Sequence, residues 1–175
     1  MARIERTAAL AIENGAMEDM IIADSAPKKK EVWAARSSFL EAIKAETKLL
    51  DECDVVVPVN RIPEFLAFAG RMGEEHGLTI CNYGHAGDGN IHIHLCSNDL
   101  SEEAFKEKAD AYFKALYDQA RACGGLVSGE HGIGRGKIEY LRQSVGDTNM
   151  ALMEGIKRVF DPNLILNPGK VCCTL

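Results

Sequence analysis

Between Cys53 and Ala120 the chain keeps exchanging one apolar period for another with few residues in between. This exchange restricts the fold more than any other feature. Residues 53–58, CDVVVP, form a β-branched run ended by proline, which reads as a strand. Ile62, Phe65, Leu66, Ala69 and Met72 then follow helical spacing and predict an amphipathic helix over 62–76. Residues 78–83, LTICNY, and the alternating 90–95, NIHIHL, return to strand character, as one strand with a glycine-rich irregularity or as a hairpin. Ser101, Glu102 and Glu103 open a further helix whose core face is Phe105, Ala109, Tyr112, Phe113, Leu116 and Ala120, with Gly124 ending it. Such an alternation predicts an α+β fold with helices on one face of a small antiparallel sheet.

The flanks extend this pattern. Residues 2–14 read as a short helix and 20–24 as a strand. Ser25 is positioned to cap a long helix through about Lys48, with Pro27 in its first turn. After a glycine-rich loop over 124–136, a short helix is expected at 137–143. A last helix is capped by Asp147 and stopped at Asp161-Pro162, and a surface tail follows it.

A formal charge of -6 argues against nucleic acid as a partner, which requires a basic footprint. No apolar run approaches the roughly 20 residues that span a bilayer, and the acidic, amphipathic N-terminus makes a poor signal peptide. The six cysteines have no CxxC spacing and read as reduced thiols of a cytoplasmic protein.

Two segments concentrate the polar chemistry. In Gly84-His85-Ala86-Gly87-Asp88-Gly89-Asn90-Ile91-His92-Ile93-His94, His92 and His94 share one face of the strand. Glycines at 84, 87 and 89 permit a path that brings His85 beside His92. A divalent metal is one reason to gather imidazoles; a histidine-rich strand edge facing water is the other reading. In Ser128-Gly129-Glu130-His131-Gly132-Ile133-Gly134-Arg135-Gly136-Lys137, neither a Walker loop nor a GxGxxG fingerprint is present. Glu130 is suited to complete a two-His, one-carboxylate metal site, with His131 as a general base beside it. A solvated surface loop is the alternative. Arg36 shares a helical face with Trp33 and Leu40, where a guanidinium either snorkels or meets an anion.

GHAGDGNIHIH, SGEHGIGRGK and IKRVFDPNLILNPGK, in that order, resemble the C-terminal region of the FAD-linked oxidases related to vanillyl-alcohol oxidase. The nearest branch contains the glycolate oxidases, D-lactate dehydrogenases and D-2-hydroxyglutarate dehydrogenases. The resemblance runs from about Ile4 to Lys170 and takes in Trp33-Ala34-Ala35-Arg36 and Asp54-Val55-Val56-Val57-Pro58. It implies a ferredoxin-like substrate or cap domain over 1–175, with residues 147–175 returning to a flavin domain outside this chain. It also implies a sheet strand preceding residue 1. It assigns His85, His92 and Glu130 to a divalent metal, zinc or manganese, and His131 to the catalytic base. Arg36 falls to the substrate carboxylate, and Asn90 and His94 to nearby polar contacts. Some members carry a lysine two residues before the strand aspartate, where this chain has Glu52.

The activity so implied is oxidation of a small D-2-hydroxy acid, glycolate, lactate or similar, to the 2-oxo acid with hydride transfer to FAD. The flavin itself would be held mainly by the FAD-binding domain. On that resemblance the chain is a fragment or one piece of a split enzyme, open to forming a homodimer. An electron-acceptor partner would be able to hold the parent at a membrane surface. A metal-dependent hydrolase and a non-catalytic assembly domain are the rival readings.

Overall fold

The structure, a computed structural model, describes residues 2–15 and 22–172. It divides into two compact units, residues 1–45 and 46–175. The first unit is helical. Helix α1 spans Ala2–Glu13 and α2 Ala26–Ser37, and α3, Phe39–Glu46, runs to the unit boundary. The expected strand at 20–24 lies partly outside the described residues, and 22–24 are irregular. Ser25 caps α2 as expected, its Oγ accepting from the Lys28 amide. The single helix expected through Lys48 is interrupted at Ser38. Ser37 and Ser38 turn their hydroxyls back onto the Trp33 and Ala34 carbonyls (2.8 and 2.9 Å), a contact that bends helices.

The second unit holds the sheet. Strand β1 (Leu49–Val56) is followed by a 3-10 turn at Val59–Arg61 and helix α4 (Ile62–His76). Strands β2 (Thr79–His85) and β3 (Asn90–Ser97) come next, then α5 (Glu102–Ala122) and α6 (Ile138–Phe160). The sheet is antiparallel in the order β1-β3-β2, so β2 and β3 form a hairpin around central strand β3. The turn closes at Gly89, whose φ of +81° suits glycine. Strand β1 begins earlier than the β-branched run suggests, because Leu49 to Glu52 pair with Ser97 to His94.

Helices α4 and α5 cover one face. Val55, Phe65, Ile93, Leu95, Tyr112 and Leu116 are fully buried between them and the sheet. Each such aliphatic or Phe side chain is worth roughly 1.5–3 kcal/mol of burial, so apolar packing on this face carries the fold and leaves the other face for polar groups. The β-α-β-β-α order is ferredoxin-like. Where a fourth strand would flank β1, the described residues have a single antiparallel bridge, Leu126 to Val56. The two helices expected in this stretch are both present within α6, divided at Gly146 by non-helical dihedrals (φ 78°, ψ 163°). Asp147 pairs with Arg142 at 2.7 Å. No described helix is long and apolar enough to cross a membrane.

Candidate functional site on the polar face of the sheet

Alternation along β3 sends Ile91, Ile93 and Leu95 to the core and Asn90, His92, His94 and Cys96 to the opposite face. Register then decides which neighbours join that row. Tyr83 stands opposite His92 on β2, His85 opposite Asn90, and Asp54 opposite His92 on β1. After the Leu126 bridge the chain turns across this face and lays Ser128 to His131 over it.

Three donor atoms meet there. Glu130 Oε1 lies 3.1 Å from His85 Nε2 and 2.8 Å from His92 Nε2, and the three ligand atoms all fall within 4.8 Å of one another. His92 is buried, while His85 and Glu130 keep partial exposure. The His85 and His92 rings meet edge to face at 5.4 Å. Burial, with His131 and His85 close by, holds the His92 imidazolium below the ordinary histidine range, which favours the neutral, ligand-competent form. This donor set converges on one point from two strands and a loop, so it could hold a divalent ion.

The His131 ring lies over His92, with centroids 4.9 Å apart. Its Nδ1 is 3.7 Å from Asp54 and 3.9 Å from Glu52. His94 is almost fully buried. It stacks on Tyr83 at 4.9 Å, and its Nε2 is 3.1 Å from Glu52 Oε2. Its Nδ1, like Asn90 Oδ1, is buried without a hydrogen-bond partner. The structure thus brings His85, Asn90, His92, His94, Glu130 and His131 to one face. Arg36 lies on α2 in the other unit, half-buried on a helix with no fully buried residues.

Several residues of the site do not stand out in the sequence. Asp54 is completely buried. Its carboxylate accepts hydrogen bonds from Ser128 Oγ, from the amides of Gly129 (2.6 Å), Glu130 (2.7 Å) and His131 (3.0 Å), and from Lys137 Nζ (2.6 Å). Burial alone would raise its pKa. The Lys137 ammonium and the amides of His131 and Glu130 overcome that and hold it well below the carboxylate range. Its sequence signal is slight, an acid directly before the β-branched run Val55 to Val57. Gly129 packs so tightly on the Asn90 carboxamide that a Cβ there would overlap it.

Residues 2–171 match the family model described as FAD linked oxidases, C-terminal domain. The chain belongs to that family. A D-lactate dehydrogenase of Anaerostipes hadrus is 50% identical over 98% of this chain, which covers 36% of that protein. A D-2-hydroxyglutarate dehydrogenase of Xanthomonas citri pv. viticola is 34% identical over 91% of the chain and 34% of its own length. Glycolate oxidase subunit GlcD of Bacillus subtilis is 32% identical over 87% and 33% respectively. The chain therefore spans about a third of these relatives, and the FAD-linked oxidase C-terminal domain is the part they share with it.

Proposed function

We propose that this domain is the substrate-facing part of a flavin-dependent enzyme that oxidises a D-2-hydroxy acid to the 2-oxo acid. The observation that carries this reading is the convergence of His85, His92 and Glu130 beside the His131 ring. The names of the relatives, all oxidoreductases of small hydroxy acids, support it. His85, His92 and Glu130 would hold a divalent metal, zinc or manganese, which would supply a compact positive charge that favours ionisation of the substrate hydroxyl. FAD, held mainly by the FAD-binding domain outside this chain, supplies the hydride acceptor.

The chain's own residues do the rest. His131 takes the proton of the C2 hydroxyl on Nε2, since Nδ1 faces Glu52 and Asp54. The C2 hydrogen leaves with its electron pair as the carbonyl forms. Asn90 and His94 stand on the same strand face as His92, and there we place polar contacts close to the bound substrate. Arg36 pairs the substrate carboxylate in a forked geometry, an assignment that rests on the family resemblance. The exposed apolar ridge at the end of α6 and the tail beyond it is where we place contact with the FAD-binding domain. The enzyme acts in the cytoplasm, at the membrane surface where its electron acceptor resides there.

Metal analysis and kinetics on the full-length protein test this. One divalent ion per chain is expected, and it is lost in His85→Ala. His131→Ala lowers kcat by about 10² to 10⁴ with a much smaller change in KM. A metal-free active enzyme, or undiminished turnover in His131→Ala, would overturn the assignment.

A further inference from the structure

We propose that Asp54 is the positioning residue of this site: its carboxylate, and not the metal, holds Glu130 and His131 in place. The role rests on the reading of Glu130 and His131 given above. A buried carboxylate is costly unless its oxygens are filled with partners, and a well-packed apolar pair serves stability as well. Asp54 spends its capacity on one segment. Oδ2 collects the consecutive amides of Gly129, Glu130 and His131, and Ser128 Oγ reaches both oxygens.

Consecutive amides aimed at one oxygen wrap the backbone around it into an anion-binding concavity. With the backbone so curled, the Glu130 side chain meets His85 and His92, and the His131 ring lies over His92. Lys137 closes the clasp from the other end of the loop at 2.6 Å. Ser128 Oγ also accepts from the Gly132 amide. No ladder beyond the Leu126 bridge holds this segment among the described residues. Asp54 itself sits on β1, paired along its length with β3, so the loop is referred directly to the strand that carries His92. Asp54 also acts through backbone amides rather than through any of the three donor atoms. The loop should therefore be in position before a metal arrives.

Amide hydrogen exchange on metal-stripped full-length protein, combined with kinetics, tests this. Residues 129–131 should exchange slowly in the metal-free wild type and in His85→Ala, and fast in Asp54→Asn. Asp54→Asn should lose turnover on the order of 10²-fold, the usual cost of displacing a reacting group by about 1 Å, with KM little changed. Asp54→Asn also strands the Lys137 ammonium, so the double variant Asp54→Asn, Lys137→Gln separates stability from position. It should regain melting temperature without regaining kcat. Fast exchange of 129–131 in the metal-free wild type would overturn the proposal, as would turnover that returns together with stability. An inactive parent toward every 2-hydroxy acid would instead overturn the proposed function, while the exchange pattern would still judge Asp54.

Discussion

At Gly89 the backbone is left-handed, and a Cβ there would run into the Val57 carbonyl oxygen. The Val57 amide also bonds the Gly89 carbonyl at 3.0 Å. Gly87, in the same turn, has open space around it and no such backbone demand. Gly89→Ala should therefore cost about 1–3 kcal/mol through strain and overlap. Gly87→Ala should stay within about 0.5 kcal/mol. Urea unfolding of both variants checks this, and equal losses would refute it. Sequence alone treats these two glycines alike, because the obstructing atom belongs to a distant part of the chain. His85, His92, Glu130 and His131 are legible because few residue types can hold a metal or move a proton near neutral pH, and the chain gathers them into two short motifs. Asp54 is not, because its partners lie 74 to 83 residues away and only the fold shows that it faces them.

Among the elements, α4, α5 and the β2–β3 hairpin follow their apolar periodicity closely, because each buries one face against the same core. The break at Ser37-Ser38 escapes it, since the helical period continues across a side-chain hydrogen bond that periodicity cannot register. The punctuation of the last helix predicts two pieces, and Gly146 does divide α6 in two with its non-helical dihedrals. The end of α6 carries its own carboxylate anchor. Asp161 accepts from Lys157 Nζ at 2.8 Å and from the amides of Ile165 and Leu166 at 3.1 and 2.9 Å. The Lys157 ammonium, with those amides, holds its pKa below the usual value. A depressed folded pKa stabilises above the unfolded value of about 3.9 and loses that contribution as pH falls through the folded one. Amides 165 and 166 should thus stay protected from pH 7 down to about 4, then open on further acidification. Asp161→Asn should open them at every pH. Loss of protection already near pH 6 in the wild type would contradict this account.

For the molecule as a whole, the largest unmet demand is apolar. Leu152, Ile156, Val159 and Phe160 on α6 are exposed, followed by Ile165 and Leu166, with Phe160 at 81%. Leu164, in the tail expected to run over the surface, instead packs against the core. Exposed apolar area gains about 25 cal/mol per Å² when covered. The 175-residue chain by itself should therefore self-associate. Sedimentation across a wide concentration range should show a dimer or larger species, and Phe160→Glu should shift it to monomer. A monomer at every concentration would rule this out. The antiparallel register has a consequence for how this domain can change over time. All the β3 side chains on the polar face share one parity, so one inserted residue would send the isoleucines to the polar face and the histidines into the core. Length changes along that strand must come in twos unless a bulge absorbs the odd residue. Among the described residues the segment beyond Leu126 pairs with no strand that would keep count, and it can grow by any number provided the chain still returns to Asp54.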